Sequence, residues 1–309
     1  MKITFLRLVK LVLPFKWWML LAALIGFFTV GSSVGLLMTS AYIIAKAALH
    51  PSVAELQVAI VGVRFFGISR GLFRYIERLV SHKVTFRLLA KFRVWFYEAI
   101  EPLAPARMMR FKSGDLLSRL VSDIESLQNF YIRVLAPPIT AVMVSLLMWL
   151  LFGMFSWHLS LILFLFMAAA GFGVPIFTLF ANRRHDNKLL QLQGEMSSLT
   201  VELIQGLPDL LVYGGAEKKR RQLQLCSEEL LALKQKTSNI NALHESLIGL
   251  LMNGAVFAIL FYAIPIVSTG SLNAVYLSVL ALGIMAAFEA MMPLPERSEE
   301  HTSELDAHY

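Results

Sequence analysis

Four basic side chains recur at every fourth position of one apolar stretch, namely Arg70, Arg74, Arg78 and His82. On a helix, this spacing places them along one slowly turning stripe that drifts about 40° per step, and Tyr75 borders it. The planar guanidinium fork of arginine suits carboxylates, and neutral imidazole is a common iron ligand. The stripe therefore predicts a wall that binds a carboxylate-bearing anion, with His82 as a candidate iron ligand at its end.

The composition shows which kind of protein must position this stripe. Of 309 residues, 57% are hydrophobic and only 16% are charged, and the mean hydropathy is +0.65. These values exclude a disordered chain, a secreted disulfide scaffold and a typical cytosolic enzyme. Long uncharged runs instead indicate a polytopic membrane protein. The net charge of +7 then reflects cytoplasmic loops rich in Lys and Arg rather than binding to nucleic acid.

Uncharged runs divide the chain into six predicted spans. One run lies between Lys16 and Lys46, with Trp17 and Trp18 as interfacial anchors. Runs of 49 and 43 residues follow later, and each is long enough for two spans joined by a tight turn. The predicted spans cover about residues 17–44, 54–76, 135–154, 158–181, 247–268 and 272–292. The sequence therefore predicts an all-α membrane protein with six transmembrane helices.

The distribution of cations predicts the orientation. The segment 64–133 holds 13 Lys or Arg, the segment 183–245 holds nine, and the first 16 residues hold four, whereas the other loops hold almost none. By the positive-inside rule, both termini and both long segments are cytoplasmic. Both segments are predicted to be helical. Helical spacing of the apolar residues Leu116, Leu117, Leu120, Val121, Ile124 and Leu127 follows a capping Ser113, and a short apolar helix lies between Gly206 and Gly215.

The depth of the stripe leaves two interpretations open. A cation at the bilayer centre costs at least about 2.5–3.5 kcal/mol, so it persists where it faces a cavity, a partner or a ligand. At about 1.5 Å per residue from Val53, His82 lies about 40 Å along the helix, near the inner interface. Arg78 and His82 could therefore meet lipid headgroups, Glu77 or water. Alternatively, the stripe holds an anionic ligand.

These features together resemble a known architecture. Six spans with long inward extensions, and the strings "SGDLLSRLVSDIESL" and "GLPDLLVYGGAEKKRRQ", resemble the transmembrane domain of type IV ABC exporters. Within that group, "GVRFFGISRGLFRYIERLVSHKVTFRLLAKFRVWFYEAIEPLAPA" is similar to the CydC half of the CydDC family, and "RYIERLVSH" is its most specific part. The resemblance covers about residues 1–295.

The resemblance implies a heterodimer with a CydD-like half-transporter in the bacterial inner membrane. It implies ATP-driven export of anionic cargo, thiols such as glutathione and cysteine, in support of cytochrome bd assembly, and also an association with haem or haem transport. On this basis, Arg70, Arg74, Tyr75 and Arg78 are the expected cargo-binding residues, because glutathione and haem propionates both carry carboxylates. His82 is then the candidate axial ligand of a haem b.

The part of an exporter that binds ATP has no counterpart in the sequence. A nucleotide-binding domain needs a phosphate-cradling GxxxxGK[ST] loop, and neither that string nor an LSGGQ-like signature occurs. We therefore expect a chain that does not hydrolyse ATP by itself and uses ATP only through a nucleotide-binding domain outside it. Residues 296–309, "ERSEEHTSELDAHY", are abruptly polar and resemble translated sequencing-adapter sequence, so we expect a non-native tail after residue 295.

The remaining histidines give weaker signals. His50 and His158 fall in predicted external turns, and His185 and His244 are predicted near helix ends in the cytoplasm. No pair has HExxH or other metal spacing, so no zinc site is expected, and no metal site other than the haem candidate at His82.

Other polar and small residues receive structural interpretations. Packing is the expected role of the lone cysteine, Cys226, which excludes an internal disulfide. Glu289 either ends the sixth span at the cytoplasmic surface, which we favour, or faces the translocation path. Small residues in the first span predict close helix contact, namely Gly31, Ser32, Ser33 and Gly35.

Three rival functions remain. A lipid or drug ABC exporter half shares the architecture but predicts fewer cations in the second span. A haem-binding membrane scaffold or sensor without transport would use the stripe and His82 alone. An integral-membrane enzyme has no motif to support it.

Overall fold

The computed structural model describes residues 16–103, 136–182 and 186–292. Within these ranges the chain is helical and contains no strand, which confirms the predicted all-α fold. The helices are α1 (Lys16–Ala47), α2 (Val53–Ile100), α3 (Ala136–Gly153), α4 (Trp157–Ala168), α5 (Val174–Asn182), α6 (Asp186–Gln205), α7 (Leu207–Val212), α8 (Ala216–Ser268) and α9 (Val275–Phe288). A 3-10 turn (Glu101–Leu103) follows α2, and a π-helical turn (Ala169–Gly173) joins α4 to α5.

Four helical stretches in the described residues are long and apolar enough to cross a membrane: Trp17–Ala47, Val53–Trp95, Trp157–Thr178 and Ala216–Ser268. Two shorter apolar helical stretches accompany them, Pro137–Gly153 and Val275–Phe288. A multi-pass membrane protein follows from these segments. The number six remains a prediction.

Tight turns separate the paired apolar helices at the places where the sequence predicts breaks. One turn, 154–156, lies between α3 and α4, and the edge-to-face contact of Trp149 with Trp157 closes it at 5.8 Å between ring centroids. The other, 269–274, lies between α8 and α9. Gly270 adopts φ +77° there, a left-handed conformation that glycine enters without steric cost.

The small residues of α1 allow α2 to approach closely, as the sequence predicts. A Cβ atom on Gly35 would lie only 2.6 Å from the Phe66 ring of α2, so any side chain at this position would have to displace that ring. Ser33 is fully buried, and a Cβ on Gly31 would reach ordinary contact distance from Leu147 of α3. The close packing of α1 thus depends on its small side chains.

Antiparallel packing fixes the register of α1 against α2. Gly35 faces Phe66, and the rings of Phe28 and Phe73 stack with centroids 5.4 Å apart. The two helices are therefore antiparallel, and residue numbers on α2 increase in the direction in which those on α1 decrease.

Helix α9 also packs against α1 in a defined register. A Cβ atom on Gly283 would lie 3.0 Å from Met38, and the rings of Tyr42 and Tyr276 are 6.1 Å apart. Hence α9 runs antiparallel to α1, and its C-terminal end lies toward the middle of α1.

Residues 172–250 form a second compact unit, built from α5, α6, α7 and the first part of α8. Its buried core joins Leu192 of α6 to Cys226, Leu230 and Leu233 of α8. The predicted packing role of Cys226 is confirmed, because its side chain lies in this core. The predicted short apolar helix is α7, which ends at Val212 before Gly214 with φ +72°.

The position predicted for His244 is wrong. This histidine lies in the interior of α8, a single helix of 53 residues, rather than near a helix end. It is buried, and its Nδ1 lies 2.9 Å from Thr178 Oγ1 of α5. The predicted helix that follows Ser113, His185 and the tail 296–309 all lie outside the described residues.

Candidate functional site

Two of the four basic side chains of the stripe converge on one acid from the other end of the sequence. Arg74 Nη2 donates to Glu289 Oε1 at 3.0 Å, and Arg70 Nη2 lies 3.4 Å from the same oxygen. Both arginines lie on α2, one turn apart, and Glu289 caps the C-terminal end of α9. We call these three residues the Arg–Glu cluster.

The packing of α2 against α1 gives a first measure of the level of the cluster along α1. Arg70 lies between Phe66, which faces Gly35 of α1, and Phe73, which stacks on Phe28. Arg70 is therefore level with α1 about midway between those two α1 positions.

The register of α9 gives the same depth independently. Glu289 follows Gly283 by six positions, and Gly283 contacts Met38, so Glu289 is level with about Ser32 of α1. That level is near the midpoint between Lys16 and Lys46, about 22 Å from each at 1.5 Å per residue. The cluster is thus level with the middle of the uncharged run of α1. Glu289 ends α9, as predicted, and the cytoplasmic position of that end stays a prediction.

The side chains of the cluster keep accessible surface despite their ion pairs. Their exposed fractions are 34% for Arg70, 52% for Arg74 and 35% for Glu289. Two guanidinium groups and one carboxylate leave one excess positive charge. Charged groups at this depth face a cavity or a protein partner rather than lipid. The arrangement can therefore bind a solute that carries a carboxylate.

A second acid of α2 is tied to α1 close to the cluster. Glu77 Oε2 accepts a hydrogen bond of 3.0 Å from Thr29, and Glu77 Oε1 lies 3.3 Å from the Cβ position of Gly26. This acid follows Arg74 by one turn, so it fixes α2 against α1 next to the stripe. It is only partly buried, and its hydrogen bond to α1 contributes to the position of the arginines.

The other predicted cargo-binding residues are not joined to the cluster. Tyr75 is 65% exposed, and neither Tyr75 nor Arg78 makes a hydrogen bond or an ion pair within residues 16–103, 136–182 and 186–292. Only Arg70 and Arg74 are brought together, and the other two remain predictions.

His82 meets one part of the requirement for an axial haem ligand. Its ring is exposed, stacks on Phe86 at 6.3 Å between centroids, and makes no hydrogen bond with the described part of the chain. An uncommitted imidazole with Arg78 one turn before it fits one axial ligand and one propionate partner. No group of three or more metal-ligating His, Cys, Asp or Glu side chains forms among the residues described.

Sequence reasoning did not connect Glu289 with the arginines. The two groups are separated by 215 and 219 positions, so no local spacing indicates their contact. The only signal was a lone acid at the end of an uncharged run of 43 residues, since an ionisable residue inside a span marks a functional candidate.

The chain is similar to known proteins along most of its length. Residues 3–291 match the family model described as the ABC transporter transmembrane region. The glutathione/L-cysteine transport system ATP-binding/permease protein CydC of Escherichia coli is 28% identical over 90% of this chain and 49% of its own length. CydC of Haemophilus influenzae, which carries the same description, is 29% identical over 94% of this chain and 50% of its own.

A relative that is described as CydD matches about equally well. The Bacillus subtilis protein described as CydD of the glutathione/L-cysteine transport system is 27% identical over 89% of this chain and 48% of its own length. The chain therefore spans about half the length of these relatives, and the identities do not separate the two halves.

Proposed function

The chain belongs to the family of ABC transporter transmembrane regions, and on this premise we propose that it is the membrane half of an ATP-driven exporter of glutathione- and cysteine-type thiols. The observation that carries the proposal is the Arg–Glu cluster. Its positive charge and accessible surface lie near mid-depth in a membrane protein, where a cation requires a ligand or partner. Thiols of this type carry carboxylates that the arginines can bind.

Two half-transporters enclose the proposed cavity. The chain is the CydC-like half, its partner is a CydD-like half, and the assembly lies in a bacterial inner membrane with both termini of the chain in the cytoplasm. ATP acts through the ATP-binding part for which the relatives are named, and this chain spans about half of the length of those relatives. Closure of the ATP-binding parts tilts the long helices and turns the cavity outward. The exported thiols support cytochrome bd assembly.

ATP-driven uptake into inside-out membrane vesicles tests the proposal. Vesicles that contain the assembled transporter should accumulate radiolabelled glutathione only with ATP. Arg74→Gln should reduce uptake about tenfold, because a charged hydrogen bond to the carboxylate is lost. Arg64→Gln is the matched control, since Arg64 is an exposed cation of α2 outside the cluster.

Two results would contradict thiol export. If the unaltered transporter takes up no glutathione in the presence of ATP, glutathione is not its cargo. ATP-driven movement of a lipid or a hydrophobic drug, with none of glutathione or cysteine, would favour the rival exporter class.

A second candidate function is haem binding at His82. The supporting observation is its exposed imidazole, with Arg78 one turn before it as the group that would hold a propionate. A bound haem supplies redox chemistry and a site for iron ligands. The partner subunit or residues outside those described would have to provide the other axial ligand.

A haem titration of the assembled transporter tests this candidate. We expect a stoichiometric Soret band that shifts or disappears in His82→Ala and persists in the control His158→Ala. An identical band in His82→Ala would exclude this histidine as the ligand. A haem band in a protein without thiol uptake would favour the scaffold or sensor.

A further inference from the structure

We propose that the Arg–Glu cluster recognises the α-amino-acid head group of the cargo, with the arginines binding its carboxylate and Glu289 binding its ammonium group. This inference rests on the proposed export of glutathione- and cysteine-type thiols, and it deepens it. It assigns Glu289 a direct role in selecting the cargo. The predicted anion-binding wall then becomes a site for zwitterions.

The unused atoms of the cluster carry the inference. Both arginines approach the same oxygen, Oε1, through one nitrogen each, while Oε2 makes no hydrogen bond with the described residues. A guanidinium group has five N–H donors, so most of the donors on the two arginines remain available. Donors for a carboxylate and an acceptor for an ammonium group therefore lie side by side.

All three side chains of the cluster are accessible among the described residues, so a ligand can reach them. Desolvation of an ion pair costs free energy, which the pair recovers only when its geometry is good and its remaining hydrogen bonds are satisfied. Here the three side chains keep 34%, 35% and 52% of their surface accessible, near mid-depth. Its excess charge of one also attracts a solute with more carboxylate than ammonium.

The chemistry of the ligand follows from this geometry. Cysteine carries one carboxylate and one ammonium group on the same carbon atom, and the γ-glutamyl end of glutathione presents the same pair. The second carboxylate of glutathione matches the excess positive charge. The charged groups of the cluster bind the charged groups of the cargo and not its thiol, so this site selects the head group and not the sulfur.

Three small compounds separate the two halves of the head group. Cysteine has both charges, 3-mercaptopropionate lacks the ammonium group, and cysteamine lacks the carboxylate. Binding is measured as the concentration that gives half-maximal thermal stabilisation of the assembled transporter in detergent. Serine, which lacks the thiol, is measured in parallel.

Glu289→Gln should selectively weaken binding of the compounds that carry an ammonium group. We expect the half-stabilising concentration of cysteine to rise about 10- to 100-fold, the change produced by loss of one charged hydrogen bond. That of 3-mercaptopropionate should stay the same or fall, because the arginines lose their competing carboxylate. Arg74→Gln should do the reverse and spare cysteamine.

A matched control uses an ion pair in the first turn of α2. Glu55 of α2 pairs with Lys46 at 3.8 Å, so Glu55→Gln also removes one acid from an ion pair. This variant should leave all the concentrations unchanged. If Glu289→Gln fails to fold, Glu289→Asp replaces it, because it keeps the charge and shortens the side chain. In this variant, binding of cysteine should weaken relative to binding of 3-mercaptopropionate.

The outcomes separate this inference from the proposed function. Equal changes for all the compounds in Glu289→Gln, or no change, would overturn the inference and leave an ion pair that only joins α2 to α9, even if glutathione uptake is normal. Binding of cysteine and serine that depends on Glu289, with no ATP-driven uptake of thiols, would support the head-group site and overturn thiol export.

Discussion

Replacement of Thr29 by Val should destabilise the transporter through Glu77. The Thr29 hydroxyl lies 3.0 Å from Glu77 Oε2 and 3.0 Å from the backbone oxygen of Ile25, and Thr29 is almost fully buried. Valine keeps the shape but removes the donor, which leaves the carboxylate without this hydrogen bond. Bonds to charged groups contribute about 1.5–3 kcal/mol. One proton serves two acceptors here, so we expect the lower end, about 1.5 kcal/mol.

Thr39→Val is the matched control, because Thr39 Oγ1 bonds only to the backbone oxygen of Gly35, at 2.6 Å, on the same helix. Thermal unfolding in detergent should place Thr29→Val about 3 °C below Thr39→Val, at about 2 °C per kcal/mol for a chain of this size. In a Glu77→Leu background the difference should disappear, because the acceptor is absent. Equal melting temperatures for the two variants, with Glu77 intact, would refute the reasoning.

Three further predictions concern packing and orientation. Gly35→Ala should lower the free energy of unfolding by about 1–3 kcal/mol relative to Gly71→Ala. The reason is that the methyl group added at Gly35 meets the Phe66 ring, whereas the one added at Gly71 meets no atom within 4 Å. Equal effects of the two changes in thermal unfolding would contradict this close contact. Cys226, the single thiol, should resist a maleimide reagent until the second unit unfolds, and rapid labelling of the native protein would argue against its burial. In a cysteine-free background, Ser271→Cys should react with an impermeant reagent outside the cell, and Tyr213→Cys only after permeabilisation; the reverse pattern would invert the predicted orientation.

The approximate positions of several helices could be predicted because they depend on local properties. Hydrophobic runs must bury their backbone polar groups in helices when they enter a membrane, so charge-free stretches alone mark α1 and the paired helices after it. Small side chains in α1 indicated close packing, but the sequence did not show that the ring of Phe66 fills the space at Gly35. The length of α8 was missed, because the charged segment ends at Glu245 and an uncharged run begins at Ser246, and this change of polarity does not interrupt the helix.

Of the candidate site, only the basic residues of α2 were predicted from the sequence. The spacing of Arg70, Arg74, Arg78 and His82 depends on helical geometry, so their common stripe follows from the sequence. Which of them has a partner depends on the register of a helix more than 200 positions later.

The sequence by itself determined that this is an all-α membrane protein with a row of cations in one apolar helix, because composition, uncharged runs and helical periodicity are local properties. The tertiary structure alone decided that Glu289 lies beside Arg70 and Arg74. The physical reason is that α2 and α9 each pack on α1 in a register set by small residues and rings. These two registers bring the cations and the acid to one depth.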